Sequence, residues 1–201
     1  MAHERIIGLY EEHAGAWDEA RRDGPSPQER PHLEAYARAL PQGAAVLDIG
    51  CGGGVPVARD LIAAGFAVTG ADSSPALIAR CRERFPAAEW HVADMRRLDL
   101  GRRFDGLLAW HSFFHLHAGD QRAMFPIFAA HAAPGALLMF TSGPQAGVAM
   151  GEWQGEPLFH DSLAQEEYRS LLAANGFEML SFTAGEPVAR GPSVWLARYR
   201  R

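Results

Sequence analysis

The chain has 201 residues, 48% hydrophobic and 21% charged, an ordinary globular usage that excludes a disordered chain and suits one domain. Its formal charge of −5 offers no general attraction to a polyanion, so no nucleic-acid partner is expected. Two cysteines, no leader, no apolar run of membrane-spanning length and no metal-ligand spacing among nine histidines point to a cytoplasmic protein with no membrane partner and no metal.

Residues 4–22 predict a helix, with apolar positions at Ile6, Ile7, Leu9, Tyr10, Ala14 and Trp17, ended by the breakers Gly24-Pro25-Ser26-Pro27. A second short helix is expected over His32 to Leu40, closed by Pro41-Gln42-Gly43. The rhythm then changes to short apolar runs alternating with helices. Strands are expected at Ala44–Ile49, Phe66–Ala71, Trp90–Ala93, Phe104–Trp110, Ala136–Ser142, Phe177–Thr183 and Ser193–Tyr199. Between them lie a helix from Pro56 to Ala64, one opening at the cap Ser74-Pro75, one from Gly119 to His131, and one from Gln165 to Ala174. Such alternation implies a doubly wound α/β sheet of seven strands, mostly parallel, with helices on both faces. Residues 1–43 read as an N-terminal helical lid segment and 44–201 as the single globular domain. In such sheets ligands bind beyond the carboxyl ends of the strands, so the residues just after each strand carry the functional reading.

The run Val46-Leu-Asp-Ile-Gly-Cys-Gly-Gly-Gly54 puts glycines at a strand-to-helix turn, where they permit unusual backbone angles and let a ligand approach the main chain. Dinucleotide dehydrogenases use a similar turn. Asp48 separates the two cases: a carboxylate beside this loop repels a pyrophosphate resting on the helix N-terminus and favours a cationic ligand. An NAD-linked oxidoreductase is thereby disfavoured.

Val46–Gly54 resembles the first motif of the class I methyltransferases that use S-adenosylmethionine (SAM). The resemblance extends from Ala44 to Tyr199 through Asp72 after the second strand, Ala93-Asp94-Met95 after the third, Phe104-Asp105 opening the fourth and Pro134-Gly135 before the fifth. It implies a Rossmann-like fold whose last two strands are antiparallel at the edge, with SAM as methyl donor and S-adenosylhomocysteine (SAH) as product. It also implies roles. The backbone of Gly50, Cys51 and Gly52 lies along the methionine part and ribose. Asp72 takes the two ribose hydroxyls, which a carboxylate does well because it only accepts. Asp94 accepts from the adenine amino group, the Met95 amide donates to the ring, Met95 and Ser73 flank it, and the Trp110 carbonyl faces the methionine ammonium. Structural alternatives stand beside these: Asp72 capping the Ser73-Ser74-Pro75 turn, Asp94 as a loop carboxylate, Cys51 as a small buried residue.

The acceptor is expected at Trp110-His-Ser-Phe-Phe-His-Leu-His117. His115, with His111 as alternate, is the candidate base, since an imidazole suits proton transfer near neutral pH; packing or capping is the competing role. No Asn-Pro-Pro-Tyr type motif occurs there. A lid is expected from the N-terminal helix, with Tyr10 and Trp17, and from residues 143–163, with Trp153 and His160, a long segment of the kind that is usually functional. Arg21 and Arg22 read as solvated. The expected activity is methyl transfer to an oxygen or nitrogen of a small organic molecule by a monomer or homodimer. The rival readings are a non-catalytic SAM-binding regulator and a protein methyltransferase.

Overall fold

The computed structural model describes all residues except 1, 23, 27 and 186–190; Pro27 of the breaker cluster therefore lies outside the described residues. The helix expected over 4–22 is broken. A 3-10 turn at Ala2–Arg5 precedes α1 (Ile6–Glu12), and α2 (Ala14–Ala20) follows after a break at His13, whose φ of −104° and ψ of 20° leave the helical region. The break lets two acidic side chains grip one helix. Glu11 Oε2 accepts from Ser74 Oγ at 2.5 Å and from the Ala76 amide at 3.1 Å. Asp18, 1% exposed, accepts from Arg84 at 2.5 Å. Both partners flank or belong to α5 (Pro75–Arg84).

Next come α3 (Arg30–Ala39), β1 (Ala45–Ile49), α4 (Val57–Ala63) and β2 (Ala67–Asp72), then α5 and β3 (Glu89–Val92). They are followed by β4 (Phe104–Ala109), α6 (Ala118–His131) and β5 (Ala132–Ser142). The chain closes with β6 (Ala149–Trp153), β7 (Glu156–His160), α7 (Gln165–Ala174), β8 (Phe177–Thr183) and β9 (Ser193–Tyr199). Ser26 and Glu29 start α3 as a reciprocal cap: the Ser26 amide donates to Glu29 Oε2 at 2.7 Å and the Glu29 amide to Ser26 Oγ at 3.3 Å. Ser74 caps α5 by accepting from the Leu77 amide at 3.1 Å.

Seven strands form one sheet in the order β3-β2-β1-β4-β5-β9-β8. Pairs up to β4–β5 are parallel, and β9 runs antiparallel to both β5 and β8. Strand alternation feeds two cores. Leu47 and Ile49 of β1 join an aromatic layer of Phe113, Phe125, Phe128, Phe140, Tyr168 and Trp195, while Val46 faces Tyr36, Ile78 and Leu108 on the other side. Tyr36 of α3 and Leu40 just after it thus pack into the core on that face of the sheet, although they fall within the segment expected as lid. The segment 143–163, expected as part of a lid, contains the hairpin β6–β7. Its two-residue turn has Gln154 at φ 54° and Gly155 at φ 80°, the paired left-handed conformation that matches strand twist. The order of strands reverses between β1 and β4, and the crevice this leaves at their carboxyl ends holds the site.

Candidate active site

The chain leaves β1 at Ile49 and folds back on β2, with the Gly50 and Cys51 amides both donating to the Ala71 carbonyl at 2.7 and 3.1 Å. Gly50 takes φ 78° and Gly52 φ 55°, a region that only glycine enters without strain. Space is equally restrictive at Gly50: a Cβ there would fall 2.3 Å from the Cβ of Ser112. Ser112 in turn donates to the Ile49 carbonyl at 2.7 Å. The floor of the crevice is therefore bare backbone held at three points.

Three carboxylates stand at the strand ends. Asp48 is 2% exposed, and burial, helped by the negative charge of Asp72, pushes its carboxyl up to about 7. Asp72 accepts from the Gly52 and Ser74 amides at 2.9 Å each, so it ties the glycine loop to the turn before α5. Burial raises its carboxyl, and those amides oppose the rise. The turn-capping role is thus present, and each oxygen keeps lone pairs for a further donor. Burial alone would raise Asp94 too, yet the Arg96 guanidinium, at 2.5 and 2.9 Å, holds it below the usual carboxylate range.

A cleft of about 830 Å³ runs past these groups. Gly50, Gly52, Asp72, Ser73, Asp94 and Met95 line one side, and Tyr10, Trp17, His111 and His115 the other. A second cleft of about 500 Å³ is lined by Asp48, Cys51, Trp110, Arg21 and Glu29. The two share Trp17, Gly50, Gly52 and His111, so they adjoin across the loop. Cys51 and Cys81 are buried, and both thiols point at the Gly52 carbonyl, at 3.7 and 3.2 Å. Burial raises the Cys51 thiol far above its ordinary range, which leaves no thiolate for chemistry.

The opposite wall is built of rings. His115 Nδ1 lies 2.9 Å from the Phe159 carbonyl and Nε2 lies 2.8 Å from the Tyr10 hydroxyl. A carbonyl only accepts, so Nδ1 carries the proton and Nε2 accepts from Tyr10. Burial pulls His115 down to about 3 and raises the Tyr10 phenol. The Trp17 ring meets Tyr10 edge-on at 4.9 Å and Trp153 at 5.4 Å, and His160 lies 4.8 Å from His115. The four candidate lid residues therefore form one run of ring contacts, Trp153 to Trp17 to Tyr10 to His115 to His160, although they come from α1, α2 and the hairpin. His111 sits apart. Its backbone is left-handed at φ 51°, its amide donates to Thr141 Oγ1 at 2.9 Å, and its Nε2 is closed onto Glu29. Burial lowers His111, and the same pairing carries Glu29 down to about 2 against the effect of its own burial. His117 caps α6 by accepting from the Gly119 amide at 3.2 Å.

Sequence reasoning missed Glu29. The Ser26-x-x-Glu29 capping pattern was the available signal, but it marks a helix start and says nothing of His111. It also left Arg21 in solvent, whereas the guanidinium lies 4.8 Å over the Trp17 ring and lines the second cleft.

The donor set fits the ligand implied by the sequence resemblance. Bare backbone admits close approach, a buried acid suits a cationic end, and Asp72 and Asp94 suit hydroxyl and amino donors. Among the described residues no helix is long and apolar enough to cross a membrane, and no three His, Cys, Asp or Glu side chains are placed to hold a metal. Residues 46–135 match the methyltransferase domain family. A trans-aconitate 2-methyltransferase of Paracidovorax citrulli is 31% identical over 185 residues, covering 85% of this chain and 67% of that protein. A second, from Variovorax paradoxus, is 41% identical over 70 residues, covering 33% of this chain and only 26% of that protein. The SAM-bound amino pentose methyltransferase CalS10 of Micromonospora echinaspora shares the fold at a TM-score of 0.69 and 23% identity, over 91% of this chain and 96% of that one.

Proposed function

The chain belongs to the class I SAM-dependent methyltransferases, and we propose on that footing that it methylates an oxygen or nitrogen of a small organic molecule held against Tyr10, Trp17 and His115. The observation that supports this most is the first cleft, which sets the strand-end carboxylates Asp72 and Asp94 beside the rings of Tyr10, Trp17 and His115. The donor, when bound, supplies a methyl group on a sulfonium already disposed to leave. Everything else falls to the protein. Asp72 offers its remaining lone pairs to the ribose hydroxyls, Asp94 and the Met95 amide meet the adenine with Ser73 beside it, and Gly50, Cys51 and Gly52 give it their backbone. Asp48 and the Trp110 carbonyl face the ammonium. Alignment and exclusion of water carry the rate, worth about 7–11 kcal/mol at the ideal limit.

His115, expected as the base, serves in this reading as the fixed acceptor that aims Tyr10. A group pulled down to about 3 takes up little proton at neutral pH. His111 is closed onto Glu29. Nucleophiles that attack without prior deprotonation suit such a site: a carboxylate oxygen or a neutral amine nitrogen. The names trans-aconitate 2-methyltransferase and amino pentose methyltransferase fall on both sides of that choice. The chain's acidic balance supports free small molecules as partners, in the cytoplasm, with the protein as monomer or homodimer.

The test is transfer of labelled methyl from SAM across a panel of small carboxylic acids and amines. Label in at least one of them is expected. Tight SAM binding with label only in added protein would replace this reading with a protein methyltransferase; binding with no transfer at all would replace it with a SAM-binding regulator.

A further inference from the structure

A carboxylate and an amine ask opposite things of a wall: a carboxylate only accepts hydrogen bonds, whereas an amine N–H donates. The ring wall of the first cleft answers the amine. His115 Nδ1–H donates to the Phe159 carbonyl at 2.9 Å, and Nε2 accepts from the Tyr10 hydroxyl at 2.8 Å. Tyr10, which lines the cleft, has therefore spent its one donor and keeps a lone pair on its oxygen. The other donors are committed or lie elsewhere. Ser112 donates to the Ile49 carbonyl, Glu29 holds His111 Nε2, and Arg96 is taken by Asp94 and Asp120. The indole nitrogen of Trp17 is turned to the donor loop, 3.4 Å from the place of a Cβ on Gly52. Arg21 lines the second cleft and not the first. His3 and His117 pack on each other at 5.2 Å, outside the run of rings.

The ring wall also lacks a base. Both nitrogens of His115 are engaged, so the molecule to be methylated must arrive with its lone pair free. An alkylamine is protonated at neutral pH and has none to offer. An amine on an aromatic ring stays uncharged, because the ring draws on its lone pair. Ile6, Ile7 and Leu116 line the same cleft as Tyr10 and Trp17, an apolar setting that suits a flat, uncharged ring. Resting on the methyl transfer proposed above, we propose that the substrate is an amine borne on an aromatic or heteroaromatic ring, its N–H donated to the Tyr10 oxygen. That bond fixes the nitrogen and leaves its lone pair for the methyl group. The lone pair forms the N–C bond, the C–S bond breaks with its electrons on sulfur, and the methylated nitrogen sheds one proton to water.

The test supplies labelled SAM to wild type and Tyr10→Phe with five probes. Aniline and 3-aminopyridine are ring amines and benzylamine an alkylamine; benzoate and trans-aconitate, the acid that the relatives' names state, are carboxylates. Label is expected on the two ring amines, with at least tenfold less on benzylamine and on both carboxylates. Tyr10→Phe keeps the ring and removes the oxygen. Its kcat/KM for the ring amines should fall roughly 2- to 10-fold, the usual worth of a neutral hydrogen bond, with SAH affinity unchanged in calorimetry. Faster transfer to either carboxylate would overturn the proposal and leave methyl transfer to a small molecule standing. A preference for benzylamine would overturn it too, since a base would then be at work. So would an undiminished rate in Tyr10→Phe, or an equal loss of SAH affinity, which would make Tyr10 a support for the donor. SAM binding with no label on any probe would also overturn it. A wild type that binds neither SAM nor SAH would overturn the donor assignment itself and this proposal with it.

Discussion

The adjoining clefts have two halves made of different materials, one proposed above for the donor and the other for the acceptor. The donor half is main chain and carboxylate: the amides of Gly50 and Cys51 fixed on Ala71, and Asp48, Asp72 and Asp94 at the ends of consecutive strands. The acceptor half is side-chain rings from distant segments, with Tyr10 meeting His115 across 105 positions and Trp17 meeting Trp153 from α2 to β6. Backbone in a left-handed turn cannot be redrawn by substitution, because a Cβ at Gly50 collides with Ser112. Rings can be exchanged one at a time. In the proposed reading, a fold divided in this way can keep its donor while its acceptor changes.

The largest expected effect is on the donor half. Asp48→Asn should abolish measurable SAM and SAH binding in calorimetry while making the free protein more stable at pH 8. The sign follows from the raised carboxyl. Folding favours the protonated form, so this group costs nothing below about pH 4 and costs progressively more as pH rises to about 7. A shift of about three units corresponds to at most about 4 kcal/mol at pH 8, and even half of that should raise the melting temperature by several degrees. A less stable Asp48→Asn protein would show that the buried charge is compensated within the fold.

Asp72→Ala comes next. It should weaken SAH by roughly 10- to 100-fold, with the fold retained because the loop keeps its bonds to Ala71. Unchanged affinity in a folded protein would mean that the carboxylate serves only the Gly52 and Ser74 amides. The smallest effect belongs to the rings. His115→Gln keeps an acceptor for Tyr10, so turnover should fall by no more than about tenfold and SAH affinity should hold. A loss of ~10²–10⁴, the worth of a general base, would sharpen the division the other way and return His115 to acid–base chemistry.

The same division decided what could be read from sequence. The seven strands of the main sheet were legible to within a few residues because apolar runs and glycine stops are local signals. The donor loop was legible because its turn needs glycine at fixed positions. The break at His13 was not, since only Ser74 and Arg84, in and beside α5, give Glu11 and Asp18 a reason to diverge. The β6–β7 hairpin turns on Gln154-Gly155, and glutamine at positive φ is a weaker cue than asparagine or aspartate. The clamp of Glu29 on His111 and the place of Arg21 over Trp17 depend on how α2 and α3 dock, which no spacing within either segment records.

The central claim is that the buried acid of the donor half selects a cationic adenosyl ligand over a pyrophosphate. Thermal unfolding with SAM and SAH, each at a hundredfold over its dissociation constant, and with NAD at the same concentration, tests it directly. SAM and SAH should each stabilise the protein by about 2.7 kcal/mol, and NAD should leave the transition where it was. A shift with NAD and none with either adenosyl compound would contradict the account.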